Sequence, residues 1–327
     1  MRKVAWLVAA VVVLGIAGFT FLRAGGASGT PGRTGSTSSS ASGAPRSADG
    51  TSSGASGTAS ARIVKVATST TTYSMTAGGL KRSYEVIAPV GGLPASAPVI
   101  VMLSGYGATT SSEITRDQLV PYASSDQAEI VYPVAVQKSW NAVDCCGYAY
   151  EHNVDDMAFL KALVPAVDPG HARPVYVVGY SNGARLAYRV ACTDPGLFDA
   201  YAAVKGGPSP SCMVREPVTI AQLASLDDPE SAYKPGSETS KDPIAVTTLV
   251  SRLRETDQCT AKPVVTRSGM VTVDTWSGCA DGTRLAFATW TDGKHSFPRP
   301  PASVPAAAQV IWSFFTNTPL AALPGIG

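Results

Sequence analysis

The sequence has few charged residues and no block of charge of one sign. Charged residues make up 15% of the 327 residues, and the 26 Lys and Arg almost balance the 24 Asp and Glu. A nucleic-acid-binding protein needs a basic stripe for phosphate contacts, and an acidic disordered protein needs a large negative charge, so both classes are excluded. We therefore expect no nucleic-acid partner. The 45% of hydrophobic residues is enough for a sizeable buried core.

Histidine is also scarce, and the cysteines lack the spacing of a metal site. There are three histidines and six cysteines, and no paired C-x-x-C of the zinc type is present. We therefore expect no metal and no other cofactor.

The first 62 residues predict a protein that acts outside the cytoplasm. Arg2 and Lys3 precede an uncharged, mostly apolar run at 4–22, which is typical of a signal peptide or a membrane anchor within residues 1–23. Residues 24–62 are Gly, Ser, Thr and Ala with scattered Pro, a composition too poor in apolar side chains to fold, and we interpret them as a flexible linker. We expect the protein to be secreted, or anchored to the outer face of the membrane through residues 4–22.

Residues 63–327 predict one α/β domain with a mostly parallel sheet covered by helices on both faces. Several apolar runs are continuous rather than alternating, as in strands buried on both sides. The predicted strands are 82–88, 98–103, 129–132, 175–179, 200–205, 218–223 and 284–288, with a hairpin at 264–266 and 271–276. The predicted helices are 154–167, 182–191, 243–256 and 303–316.

One motif points to catalysis. Gly179-Tyr180-Ser181-Asn182-Gly183 fits G-x-S-x-G, with a buried strand before it and an amphipathic helix after it. This is the context of a nucleophile elbow, in which a sharp turn exposes the serine at the N-terminus of a helix. Ser181 is therefore the candidate nucleophile.

The candidate base and acid follow Ser181 in the chain. His295 lies after the last predicted strand, where an α/β-hydrolase carries its base, whereas His152 and His171 lie before Ser181. Asp227 and Asp228 both follow the strand at 218–223, and the pattern alone does not choose between them. Asp199 and Asp257 are poorer candidates, because the first precedes a strand and the second ends a helix.

Backbone amides and three aromatic residues complete the predicted site. An oxyanion hole needs two N–H donors, and we assign them to Asn182 and to Tyr106, in the glycine-containing loop after the strand at 98–103. Tyr106, Trp140 and Tyr180 are the candidate residues of the substrate pocket.

The six cysteines predict three disulfides in an oxidising compartment. Cys259 and Cys279 flank the predicted hairpin and are expected to pair. Cys145 and Cys146 would form a strained ring if joined, so we expect them to pair separately with Cys192 and Cys212.

Several segments in order resemble one family. GLKRSYEV, APVIVMLSGYG, WNAVDCCG, VDDMAFL, GYSNGARLAYRVAC and KHSFP are similar to the secreted esterases that include poly(3-hydroxybutyrate) depolymerases and feruloyl esterases. The resemblance covers about residues 70–316. It implies an α/β-hydrolase fold and ester hydrolysis through an acyl-enzyme, with Ser181, Asp228 and His295 as the catalytic residues.

The sequence also departs from this family. The family's Leu-His-Gly is Leu103-Ser104-Gly105 here, and the segment before the acid, 224–227, is poorly matched. No polymer-binding module is recognised, which favours small soluble esters or oligoesters as substrates. The alternative hypotheses are a non-catalytic hydrolase-like binding protein displayed at the cell envelope and a peptidase on the same fold.

Overall fold

A computed structural model describes residues 65–240, 242–291, 294–298 and 305–320. The predicted signal or anchor segment and the predicted linker lie outside these residues. Within the described part of the chain, no helix combines the length and the apolar character needed to cross a membrane.

Ten strands form one mixed sheet whose centre is parallel. The strands are β1 Thr68–Ala77, β2 Leu80–Pro89, β3 Val99–Leu103, β4 Glu129–Pro133, β5 Val175–Tyr180, β6 Ala200–Val204, β7 Ile220–Ser225, β8 Val264–Ser268, β9 Val271–Trp276 and β10 Leu285–Trp290. Their order in the sheet is β1-β2-β4-β3-β5-β6-β7-β10-β9-β8. Neighbours from β4 to β10 in this order run parallel, while the pairs at both edges are antiparallel.

Helices cover both faces of the sheet. They are α1 Thr110–Asp117, α2 Val120–Ala123, α3 Gly147–Glu151, α4 Asp156–Val167, α5 Asn182–Thr193, α6 Val246–Thr256 and α7 Ala307–Thr316. Side chains of α4, α5 and α6 share one hydrophobic cluster, and those of α2 and α7 share another. In β3, Val101 belongs to the first cluster and Ile100 to the second, because successive side chains of a strand point to opposite faces. The predicted α/β architecture is confirmed.

The predicted elements are all found, with boundaries shifted by a few residues. Strand β1 and helices α1, α2 and α3 were not predicted from the sequence. Strand β1 is mostly exposed and rich in threonine, so it carries no apolar run. The three helices have at most eight residues, too short for a clear apolar periodicity.

The predicted disulfide scheme is wrong in two of its three bonds. The structure joins Cys259 to Cys279 as expected, but Cys145 is joined to Cys146 and Cys192 to Cys212. The chain around Cys145 packs beside Asn182 at the start of α5, whereas Cys192 lies near the end of that helix, about 15 Å away at 1.5 Å per residue. Cys212 approaches Cys192 instead, with a Cα–Cα distance of 5.6 Å that is ordinary for a disulfide.

We predict that proteolysis without reduction will release Cys145 and Cys146 in one peptide, lighter by two hydrogens than its reduced form. Cys192 and Cys212 will instead be recovered as two peptides that separate on reduction. Mass spectrometry of the digests checks both bonds, and a crosslink from either Cys145 or Cys146 to Cys192 would contradict them.

Candidate active site

Ser181 lies on a sharp turn between the buried strand β5 and helix α5. Its backbone has φ 51° and ψ −112°, a left-handed conformation that costs a non-glycine residue about 1–3 kcal/mol. The turn is held because the Ser181 amide donates to the Val204 carbonyl at the end of β6, at 2.9 Å. The side chain is thereby presented at the carboxyl edge of the sheet.

The two glycines of the motif are required by close backbone contacts. A Cβ at Gly179 would collide with the backbone of Gly183, and a Cβ at Gly183 would collide with the carbonyl of Leu103 in β3. Glycine at these positions therefore lets α5 start directly behind the strand, which is the packing that the G-x-S-x-G pattern predicts.

The structure brings Ser181, His295 and Asp228 together. His295 Nε2 lies 3.0 Å from Ser181 Oγ, and His295 Nδ1 lies 3.0 Å from each carboxylate oxygen of Asp228. The Asp228 side chain is completely buried, whereas Asp227 is exposed. The geometry thus selects Asp228 over Asp227, and it allows the imidazole to take a proton from the serine while the carboxylate orients the ring.

The loop after β3 leaves the backbone amide of Tyr106 available to a ligand. The amide of Gly105 donates to Glu113 Oε2 at 3.3 Å, that of Gly107 to the Lys138 carbonyl at 2.8 Å, and that of Ala108 to the Gly105 carbonyl at 3.2 Å. The Tyr106 amide makes no such bond within the described residues. It therefore suits the predicted role of an oxyanion donor, together with the Asn182 amide in the first turn of α5.

Trp140 lies behind the site and does not line it, which corrects the prediction of a pocket residue. Its side chain is 0% exposed, and its indole N–H donates to the Ser104 carbonyl at 3.0 Å. Its backbone amide donates to Asn182 Oδ1 at 2.8 Å, and Asn182 Nδ2 donates to the Trp140 carbonyl at 3.1 Å. Trp140 therefore supports, from the interior, both the loop after β3 and the start of α5.

The two predicted pocket tyrosines differ in exposure. Tyr106 is 62% exposed and remains available to a substrate, whereas Tyr180 is only 7% exposed. The Tyr180 hydroxyl donates to the His295 carbonyl at 2.9 Å. Burial raises the pKa of this phenol to about 12, so it remains a hydrogen-bond donor at neutral pH.

Two carboxylates near the site were missed from the sequence. Glu113 is fully buried in α1 and accepts the Gly105 amide, and Glu230 Oε2 lies 3.9 Å from His295 Nε2. The Thr109-x-x-Ser112 pattern, which forms a capping box, could have revealed α1 and hence Glu113. Glu230 has no such signal, since it approaches His295 only through the fold.

Comparisons with known proteins find esterases and related folds. No family model matches the sequence. The chain is 28% identical over 172 residues to "Putative esterase NocK" of Nocardia uniformis subsp. tsuyamanensis, a match that covers 49% of each protein. The chain thus spans about half the length of this curated relative.

Two solved structures cover most of the chain. The acetyl xylan esterase from Aspergillus awamori aligns with a TM-score of 0.52 and 14% identity, over 75% of this chain and 99% of that one. The protein sOPH aligns with a TM-score of 0.51 and 14% identity, over 81% of this chain and 89% of that one. The chain has an α/β-hydrolase fold. The strand order and the turn at Ser181 agree with this assignment.

We predict that Asp228→Asn will lower kcat for an ester substrate by about three to four orders of magnitude, because an amide cannot hold the histidine tautomer that accepts the serine proton. Asp227→Asn is the matched control and should change kcat less than about threefold, since Asp227 is exposed. Steady-state kinetics of both variants, with circular dichroism to verify folding, tests this. The opposite ranking would move the acid to Asp227.

Proposed function

We propose that this protein is a serine esterase that hydrolyses small esters or oligoesters through an acyl-enzyme. The observation that carries the proposal is the pair of 3.0 Å contacts that link His295 to Ser181 on one side and to Asp228 on the other. A serine hydroxyl is a weak nucleophile by itself, and a positioned base is what activates it.

In the first half of the reaction, Ser181 Oγ attacks the ester carbonyl carbon and its proton passes to His295 Nε2. The carbonyl oxygen becomes an oxyanion, to which the amides of Asn182 and Tyr106 donate. Asp228 stabilises the imidazolium that forms. The intermediate then expels the alcohol, which receives the proton from His295 Nε2, and the acyl group remains on Ser181.

In the second half, water replaces the alcohol. His295 Nε2 accepts a proton from the water as its oxygen attacks the acyl carbon. The second tetrahedral intermediate breaks the bond to Ser181 Oγ, and His295 returns the proton to that oxygen. The products are a carboxylic acid and the free serine.

The proposed substrate class rests on sequence and fold together. The resemblance to poly(3-hydroxybutyrate) depolymerases and feruloyl esterases supports ester substrates, and so do the names of NocK and of the acetyl xylan esterase. Tyr106, whose own amide is a proposed oxyanion donor, has an exposed ring that offers an apolar surface for the acyl or alcohol group.

We further propose that the protein acts outside the cytoplasm. The basic residues followed by an apolar run at 4–22 support export or anchoring. The three disulfides of the described domain support the same assignment, because such bonds persist mainly in oxidising compartments.

The test is labelling by a fluorophosphonate, combined with hydrolysis of p-nitrophenyl esters. An activated serine displaces fluoride, forming an Oγ–P bond. We expect the parent protein to be labelled at Ser181. Ser181→Ala should abolish labelling and lower kcat by several orders of magnitude. Ser237→Ala, at an exposed position, is the control and should behave like the parent.

The outcomes separate the hypotheses. A parent protein that is folded but neither labelled nor active would contradict the proposal and favour the non-catalytic binding protein. Activity that survives in Ser181→Ala within about tenfold would show that another group performs the hydrolysis.

A further inference from the structure

We propose that Tyr180 and Lys205 are positioning residues that hold the base His295 in place by binding two consecutive backbone carbonyls. The Tyr180 hydroxyl donates to the carbonyl of His295 at 2.9 Å, and Lys205 Nζ donates to the carbonyl of Lys294. This inference rests on the proposed function, in which His295 is the general base.

The two donors come from adjacent places in the sheet. Tyr180 is the last residue of β5 and precedes Ser181, and Lys205 directly follows β6. The strands are parallel neighbours, with Tyr180 opposite Val204, so both side chains start at the same carboxyl edge. The Lys205 amide donates to the Leu223 carbonyl at 2.9 Å, which ties its backbone to the following strand.

Lys205 is unusual because a lysine is seldom removed from water. It is 1% exposed and adopts a left-handed backbone with φ 51°. Burial of an ammonium group is unfavourable unless polar partners replace its hydration. The Lys294 carbonyl is one such partner, so a bond that helps to satisfy the cation also fixes the residue before His295.

Tyr180 connects the same loop to the rest of the site. Its ring centroid lies 5.8 Å from that of His295, and a Cβ on Gly105 would lie 2.8 Å from its Cδ1. The guanidinium of Arg116 lies over the ring at 5.1 Å. Tyr180 is thus in contact with the oxyanion loop and with the base, while its backbone leads into Ser181.

The imidazole needs this support because its two ring contacts do not fix the main chain. Asp228 and Ser181 bind the ring nitrogens, but a shift of the backbone would move both contacts together. A displaced imidazole lowers the rate of proton transfer without changing how a substrate binds. Loss of either tether should therefore lower kcat and leave KM nearly unchanged.

The central variant is Tyr180→Phe, which removes one hydroxyl and keeps the ring. We expect kcat for p-nitrophenyl acetate to fall about fivefold to tenfold, as for the loss of one neutral hydrogen bond. Lys205→Met removes a charged donor and should lower kcat about tenfold to a hundredfold. The rate of fluorophosphonate labelling should fall in the same proportion, because it depends on the same Ser181–His295 pair.

Two matched controls separate positioning from stability. Tyr188→Phe also removes a buried phenol, whose hydroxyl donates to Gln222 at 2.6 Å, and should lower thermal stability without changing kcat. Lys262→Met, matched to Lys205→Met, replaces an exposed lysine outside the His295 loop and should be neutral. If Lys205→Met fails to fold, Tyr180→Phe and Tyr188→Phe still decide the proposal.

The pH profile and the double variant complete the test. Tyr180→Phe should lower kcat at every pH without moving the midpoint of the profile. When Tyr180→Phe and Lys205→Met are combined, kcat should fall by less than the product of the two single factors, because both tethers hold one loop. An increase in KM with unchanged kcat would overturn the proposal and make Tyr180 a substrate contact. Equal kcat values in Tyr180→Phe and Tyr188→Phe would also overturn the proposal. The proposed function would remain supported in that case, provided that the fluorophosphonate labels the parent protein.

Discussion

The left-handed turn at Ser181 is the constraint on which the rest of the site depends. It is unfavourable for a residue with a side chain, and it is held by contacts with the surrounding backbone, among them the bond from the Ser181 amide to the Val204 carbonyl. Gly183 packs against the Leu103 carbonyl, and a Cβ at Gly206 would lie 2.5 Å from the Ser181 carbonyl. The position of Ser181 is thus determined by β3, β6 and α5 at once.

The loop after β3 is supported by a second, buried network. Arg82 Nη2 donates to Asp156 Oδ1 at 2.8 Å, and Asp156 Oδ2 accepts the Asn141 amide at 2.7 Å. The neighbouring Trp140 binds Ser104 and Asn182. Burial raises the pKa of Asp156, and its contact with Arg82 opposes that shift. Since breaking a buried pair leaves a charge unpaired, this ion pair keeps the Trp140 segment, and through it both proposed oxyanion donors, in a fixed place.

Local patterns predicted more of this protein than long-range contacts did. The parallel strands and the elbow at Ser181 follow from apolar runs and from one motif, whereas the choice of Asp228 over Asp227 came from the family resemblance. The pairing of Cys192 with Cys212 does not, because it depends on which end of α5 each loop approaches. The burial of Trp140 and Tyr180 was missed for the same reason. The local sequence around an aromatic residue is the same whether its side chain faces a substrate or the protein interior. Lys205 gave no signal, because a single lysine after a strand normally lies on the surface.

The strand order explains how distant residues meet with such short contacts. Ser181, Lys205 and Asp228 follow β5, β6 and β7, and His295 follows β10, which pairs with β7 in parallel. These four strands are consecutive neighbours in the sheet, so their carboxyl ends lie at one edge, where open α/β sheets bind ligands. The register that places Trp290 opposite Ser225 brings together the strand ends that precede His295 and Asp228, and the register of β5 and β6 does the same for Ser181 and Lys205. The sheet brings each group near its partner, and the tethers on the His295 loop supply the remaining precision.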